Sequence, residues 1–191
     1  MRRPARLPQL PPRERIVDAA SALFLEQGIA RVSVDAIAAL AGSTKMTVYR
    51  HFENKDALIL DWLEQLTASY REVLDQLAAD CPHAPRQQLR SFLDFVIADL
   101  ERAGYRGCPF TNTLADLPDT EHPARALIQA HKRRQFARLA GLCEQAGLQP
   151  ARDIAEELTL LMEGAQVVAQ NQGVERVGEK LRRMVERRLQ D

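Results

Sequence analysis

Apolar residues recur at intervals of three and four along almost the whole chain, and this periodicity restricts the fold more than any other feature. Between residues 13 and 189 the stripes follow one another, and each places its apolar side chains on one face of a helix. No segment shows the alternation of apolar and polar residues that indicates a half-buried strand. We therefore predict an all-α fold of about nine helices.

Capping residues and helix breakers set the predicted helix ends in the first third of the chain. Ser, Thr and Asn accept hydrogen bonds from the free N–H groups at a helix N-terminus, and glycine tolerates the backbone conformation that follows a helix C-terminus. On this basis we expect helix ends or turns at Gly28 and Gly42, and helix caps at Ser33, at Ser43 or Thr44, and at Asn54. The stretch Cys108-Pro109-Phe110 is expected to be an irregular connection.

Composition limits the class of protein. The 191 residues, 46% hydrophobic and 27% charged, can bury a core. They lack the run of about 18 apolar residues that a membrane span needs and the apolar block of a signal peptide, so we expect a cytoplasmic protein. The three cysteines and four histidines are scattered without the spacing of a disulfide framework or a metal site, and the sequence predicts neither a metal nor a cofactor.

Positive charge is concentrated at the N-terminal end. Residues 1–55 contain nine Lys and Arg against five acidic residues, a net charge of +4, and since the whole chain is neutral the remainder carries −4. A basic head on an acidic body is expected where one end of a protein meets a polyanion. Chance clustering of charge is the alternative at this stage.

The segment from Ser43 to Leu58, STKMTVYRHFENKDAL, holds more hydrogen-bond donors than carboxylates. Together with the preceding predicted helix it forms two short helices joined by a turn at Gly42, a helix-turn-helix whose second helix can enter the DNA major groove. Val48 and Phe52 are expected to anchor that helix in the core. The positions that reach base edges are Thr44, Lys45 and Thr47, and those that hold the phosphate backbone are Tyr49, His51 and Lys55.

Residues 28–58 resemble the DNA-binding domain of the TetR family of bacterial transcriptional repressors. The matching features are the Ser33-to-Gly42 helix, the run TVYRHFENKDAL and the end of the first helix at Phe24 to Gly28, whereas Ser43 and Met46 depart from residues common in the family. The resemblance implies a homodimer that binds double-stranded DNA at a palindromic operator and responds to a small-molecule effector. The DNA contacts that it implies are Ser33, Lys45, Thr47, Tyr49, Arg50, His51 and Lys55.

Three segments make up the predicted domain organisation. Residues 1–12 form a basic, proline-rich arm, residues 13–55 a helix-turn-helix DNA-binding domain, and residues 56–191 a larger helical domain for effector binding and dimerisation. An enzyme is not predicted, because the sequence has no GxSxG, phosphate-loop or dinucleotide-binding motif. A helical enzyme or an adaptor protein is the alternative class, and a gel-shift assay would separate it from a DNA-binding regulator.

An effector pocket is predicted from residues 86–147, which hold more apolar side chains than one helix pair needs and few charges among them, together with polar groups that include Gln166. Such a pocket suits a small, mostly apolar or aromatic ligand. A tightly packed core without a cavity is the alternative. The candidate lining residues are Phe92, Phe95, Val96, Tyr105, Cys108, Phe110, Asn112, Thr113, Leu127 and Gln166.

Cys108 has two interpretations. It is either a small buried residue in a helix-breaking connection or a redox-sensing thiol, and the second interpretation makes a thiol-based regulator the alternative function. Elsewhere in the chain, the three consecutive cations Lys132, Arg133 and Arg134 are interpreted as a solvated helix face.

The last two predicted helices carry apolar stripes that can pair with a second copy as a four-helix bundle. Two heads about one helical turn of DNA apart, roughly 34 to 36 Å, would match a palindromic site. The same stripes can instead face the chain's own core. The candidate interface residues are Leu158, Leu161, Ala165, Val168, Leu181 and Met184.

Overall fold

The computed structural model describes residues 10–102, 104 and 106–190, and within them the secondary structure is helical, without strands. The all-α prediction is confirmed. The helices are α1 (Pro12–Gln27), α2 (Val34–Leu40), α3 (Lys45–His51), α4 (Lys55–Asp80), α5 (Pro85–Arg102), α6 (Pro109–Asp116), α7 (Pro123–Gln145), α8 (Ala151–Gln170) and α9 (Val177–Gln190). In the described part of the chain, none of these helices combines the length and apolar character that crossing a membrane requires.

The chain divides into two compact units between Glu64 and Gln65, inside α4. The predicted boundary after residue 55 stays a prediction. The predicted N-terminal arm lies mostly outside the described residues, which begin at residue 10.

Side-chain caps determine where the short helices of the first unit begin. The Ser33 hydroxyl accepts a hydrogen bond from the backbone N–H of Ala36 at 3.1 Å, and the Thr44 hydroxyl accepts one from Thr47 N–H at 3.2 Å. Between the two helices Gly42 has φ of +57°, a left-handed conformation that glycine adopts without a Cβ clash. These contacts confirm the cap predicted at Ser33 and, of the two candidates Ser43 and Thr44, they identify Thr44 as the second cap.

The core of the first unit fixes the orientation of α3. Val48 and Phe52 keep only 2% and 5% of their surface exposed, as predicted. The Phe24 ring of α1 meets the edge of Trp62 in α4 at 5.2 Å between ring centroids. Because α3 buries this one face, its opposite face points to solvent.

The second unit is a helical bundle in which α5, α7, α8 and α9 share a hydrophobic core and α6 packs against α7. Arg90 of α5 donates two hydrogen bonds to the Glu186 carboxylate of α9, at 2.8 and 3.1 Å, and so ties these helices together. Buried leucines and small residues fill the space between the helices, including Leu89, Leu93, Leu139, Cys143, Leu158 and Leu181.

The prediction of an irregular connection around Pro109 was wrong. Pro109 occupies the first position of α6, where its missing N–H is not needed and its fixed φ suits a helix. Cys108 precedes it as the N-cap residue. The proline therefore starts a helix at this point instead of preventing one.

Candidate nucleic-acid interface and effector cavity

The solvent-facing side of α3 gathers most of the residues predicted to contact DNA. Tyr49 is 45% exposed, and the neighbouring Met46 is 73% exposed although its side chain is apolar. Ser33 at the start of α2 is also exposed, while Thr47 is half-buried. The other exposed members of the predicted set are Thr44, Lys45, Arg50 and His51.

Hydrogen bonds order this surface without a ligand. Arg50 donates from Nη2 to the Thr47 hydroxyl at 2.9 Å, and the hydroxyls of Thr47 and Thr44 lie 2.9 Å apart. Arg50 thus lies along α3 on the same side as the two threonines. Donors that are already fixed lose less conformational entropy when they meet a DNA backbone or base edge.

Lys45 at the start of α3 pairs with a residue that the sequence analysis did not select. Its Nζ donates to Asp35 Oδ2 of α2 at 2.8 Å, and both side chains remain more than half exposed. This hydrogen bond and the charge of Asp35 raise the pKa of Lys45. The two short helices therefore present a linked cation and anion on one surface.

Lys55 has a structural role in addition to the predicted contact with phosphate. Its Nζ donates to the backbone carbonyl of Ile29 at 2.5 Å, and the residue is half-buried at the start of α4. This bond explains a lysine in the first turn of a helix, where its charge opposes the helix dipole. It also secures the connection between α1 and α2 against α4.

Part of the positive charge of the N-terminal segment acts inside the unit. Arg13 forms an ion pair with Asp61 and lies over the Phe52 ring at 5.2 Å. Arg15 donates from Nη1 to the Ala41 carbonyl at 2.9 Å, immediately before the turn. Both arginines stabilise α3 and its turn. Fewer cations are therefore available to DNA than the basic character of the segment suggests.

A cavity of about 80 Å³ lies within the second unit, among side chains from α4 to α8. Six of the ten predicted lining residues are there: Phe92, Phe95, Val96, Cys108, Phe110 and Gln166. The other lining residues are Tyr70, Asp99, Lys132, Gln135, Phe136, Leu139, Thr159, Met162 and Glu163. Five of these fifteen lining residues are aromatic, and three, Asp99, Lys132 and Glu163, are charged.

Of the other four predicted residues, Asn112, Thr113 and Leu127 do not line this cavity. Asn112 donates to the Arg106 carbonyl at 2.7 Å, and the Thr113 hydroxyl, 3% exposed, donates to the Pro109 carbonyl at 2.8 Å. Leu127 is half-buried on α7 without lining the cavity. Tyr105 lies outside the described residues.

Lys132 corrects the prediction of a solvated basic face. Arg133 and Arg134 are exposed, but the Lys132 Nζ lies 2.5 Å from the Glu163 carboxylate and 3.3 Å from the Cys108 sulfur. Burial lowers the pKa of Lys132, yet the Cys108 and Glu163 groups outweigh burial and raise it overall. The cavity thus contains a charged lysine that no local sequence pattern distinguished from its neighbours.

Tyr70 of α4 supplies a second polar contact. Its hydroxyl donates to the Asp99 carboxylate, and its ring meets the edges of Phe95 and Phe110 at 5.4 and 5.3 Å between centroids. Burial, followed by the charge of Asp99, raises the pKa of Tyr70 far above its usual value. The phenol therefore remains a neutral hydrogen-bond donor in the cavity wall.

His131 packs against Phe110, one of the residues that line the cavity. Its ring is 4% exposed and stacks on Phe110 with 4.1 Å between centroids and an interplanar angle of 26°. Burial, then the charges of Lys132 and Arg134, lower the pKa of His131 to about 4. Its buried Nε2 finds no hydrogen-bond partner among the described residues, which is consistent with a neutral ring.

The predicted dimer residues divide between the core and the surface. Leu158, Ala165 and Leu181 are at most 7% exposed and belong to the core of the second unit, because the apolar stripe that they form faces the chain's own helices. Leu161 and Val168 are half-buried, and Met184 is 40% exposed. The larger exposed apolar side chains on α8 are Leu160 and Val167, at 73% and 53%.

Sequence families match both parts of the chain. A family model described as bacterial regulatory proteins, tetR family, matches residues 16–61, and one described as tetracyclin repressor-like, C-terminal domain, matches residues 85–185. The two matches contain the α3 surface and most of the cavity.

Individual relatives agree with these matches. The crystal structure of a TetR-family transcriptional regulator from Streptomyces coelicolor superposes with a TM-score of 0.87 at 31% identity, covering 94% of this chain and 95% of that one. A protein of Escherichia coli K12 described as a probable acrEF/envCD operon repressor is 37% identical over 83 residues, which is 42% of this chain and 37% of its own length. The regulator TtgR of Pseudomonas putida is 39% identical over 129 residues, 63% of this chain and 60% of its own length.

The matched regions therefore span less than two thirds of the E. coli and P. putida relatives, whereas the S. coelicolor structure is covered almost completely. Both domain models and that structure point to a transcriptional regulator. The chain belongs to the TetR family of bacterial transcriptional regulators.

Proposed function

We propose that this regulator is a homodimeric repressor that binds a palindromic operator through α3 and leaves it when a small effector enters the cavity of the second unit. The observation that carries the proposal is the cavity of about 80 Å³, lined in part by aromatic residues, in the unit that follows the helix-turn-helix. The repressor named among the relatives supports the negative sign of regulation.

The walls indicate the kind of effector. Phe92, Phe95 and Phe136 offer apolar surface, so the proposed ligand has a mostly apolar or aromatic body. Gln166 and Lys132 lie in the same cavity and can orient one polar group of that ligand. A ligand of this type gains its affinity from apolar burial and its orientation from one or two hydrogen bonds.

Release from DNA requires that the effector favour one conformation of the protein. A ligand shifts a conformational equilibrium only by the difference between its affinities for the two states. α4 begins at Lys55, directly after the helix-turn-helix, and carries the cavity residue Tyr70. We therefore assign the coupling to α4.

A gel-shift assay with the full chain and the DNA upstream of its own gene tests the proposal. The expected result is specific retention that weakens steeply with salt, because Lys and Arg contacts to phosphate release counterions. Hydrophobic and aromatic compounds that raise the melting temperature of the protein are expected to abolish the retention. If no DNA is bound in preference to random competitor, or if stabilising compounds never release it, the proposed function is wrong.

A thiol-based regulator is the second candidate, and the position of Lys132 favours it. An ammonium group 3.3 Å from the Cys108 sulfur is the kind of electropositive environment in which reactive cysteines occur. In this alternative, hydrogen peroxide oxidises Cys108 to the sulfenic acid and the altered cavity releases DNA. Release by peroxide in the wild type but not in Cys108→Ser, with no response to apolar compounds, would replace the first candidate with the second.

A further inference from the structure

Asp35 is an anion on the surface proposed to face DNA, and its position calls for a physical reason. Its side chain is 66% exposed in the first turn of α2, on a protein face that must approach phosphates. An acidic residue in this turn interacts favourably with the helix dipole, but that effect does not require a partner. The carboxylate instead accepts a hydrogen bond from Lys45 Nζ of the recognition helix at 2.8 Å.

The pair presents a donor and an acceptor side by side. An ammonium group has three N–H donors and a carboxylate has about four lone-pair sites, so one hydrogen bond between Lys45 and Asp35 leaves each side chain with free capacity. Their exposure, 52% for Lys45 and 66% for Asp35, leaves both side chains accessible to a ligand.

A G·C base pair has the complementary pattern in the major groove. Guanine O6 accepts, cytosine N4 donates, and the two atoms are hydrogen bonded to each other, which places them about 2.9 Å apart. The separation of 2.8 Å between Lys45 Nζ and Asp35 Oδ2 matches this spacing. Nζ can therefore donate to O6 while the carboxylate accepts from N4.

An A·T pair also places a donor beside an acceptor, but the groups that flank this donor and acceptor do not match the two side chains. Reading it would bring the Asp35 carboxylate next to the acceptor N7 of adenine and the Lys45 ammonium next to the thymine methyl group. At G·C the ammonium instead gains the second acceptor, N7 of guanine. We infer that Asp35 and Lys45 act together as a reader of one G·C base pair in each half of the operator. This inference rests on the proposed DNA-binding function and names the base pair that it recognises.

The experiment selects binding sites from a randomised double-stranded DNA library with the full chain. The wild type is expected to enrich a motif with one G·C pair per half-site, at which other base pairs bind about 5- to 150-fold more weakly. Asp35→Ala and Lys45→Ala should each lose that preference and keep the rest of the motif. The reversed pair, Asp35→Lys with Lys45→Asp, should prefer C·G at the same position, because donor and acceptor have changed places.

A matched control is the exposed ion pair between Asp94 of α5 and Arg182 of α9, at 2.6 Å. Its reversal, Asp94→Arg with Arg182→Asp, should leave the selected motif unchanged. If Lys45→Ala lowers the salt dependence of affinity by about one unit while the motif is unchanged, Lys45 contacts phosphate only and the inference is overturned. It is equally overturned if the reversed pair keeps G·C. If the wild type enriches no motif at all, the proposed function itself fails.

Discussion

Acidification should destabilise the second unit through His131, and His131→Phe should remove this sensitivity. In the folded chain the pKa of His131 is about 4, because the ring is buried against Phe110 and lies close to the charges of Lys132 and Arg134. In the unfolded chain a histidine has a pKa of about 6.5. The folded state therefore resists a proton that the unfolded state accepts.

The sign and size of the effect follow from this difference. Above about pH 6.5 the ring is neutral in both states and contributes nothing. As the pH falls from about 6.5 towards 4, the free energy of unfolding drops by about 1.4 kcal/mol per pH unit, for a total of about 3 kcal/mol near pH 4. Between pH 7.5 and pH 5 the expected loss from His131 is about 2 kcal/mol.

Urea denaturation followed by circular dichroism at pH 7.5, 6 and 5 measures this loss. Phenylalanine keeps a flat ring against Phe110 and carries no proton, so His131→Phe should lose about 2 kcal/mol less than the wild type over this range. The exposed His83 supplies the control, since His83→Gln should follow the wild type at each pH. Parallel losses in the wild type and in His131→Phe would refute the assignment of a buried neutral ring.

Three further predictions concern DNA binding, the effector and the dimer. Lys55→Ala should weaken binding to all DNA sequences alike and lower the salt dependence of log affinity by about one unit. Lys55→Arg should preserve that dependence. A selective loss of affinity for the operator alone would contradict a phosphate contact. Val96→Trp fills the cavity and should abolish release by the effector while operator binding persists in gel shifts, and Val73→Trp, at a position 37% exposed on α4, should respond like the wild type. Val167→Arg places a charge on the exposed apolar face of α8 and should yield helical monomers. Operator binding should be at least about tenfold weaker, because one DNA-binding domain then binds without the other. A dimer in sedimentation would exclude this face as the dimer interface.

Local signals in the sequence were sufficient for the helix caps and the core anchors of the first unit. Ser33 and Thr44 cap helices through contacts three residues away, and Val48 and Phe52 are buried at helical spacing, so short-range patterns determine these features. The link between Lys45 and Asp35 spans ten residues, and its formation depends on how α2 packs against α3. Composition and periodicity do not encode that packing angle, and the acidic partner was missed.

The cavity shows more clearly that sequence patterns do not predict contacts between helices. The phenylalanines of α5 were predictable as surplus apolar residues, but Lys132 and Glu163 are 31 residues apart and meet only because α7 and α8 pack together. In the sequence Lys132 is indistinguishable from the two arginines that follow it. Which member of such a run turns inward is decided by helix rotation, a tertiary property.

The division of the chain inside α4 has a consequence for how such regulators diversify. Among the described residues, the side chains proposed to meet DNA all precede residue 56, and those that line the cavity all follow residue 69. No side chain belongs to both sets, so a substitution in the cavity leaves the surface proposed to meet DNA chemically intact. Under the proposed function, one copy can acquire a new effector after gene duplication while retaining its target genes, and the reverse change can follow independently.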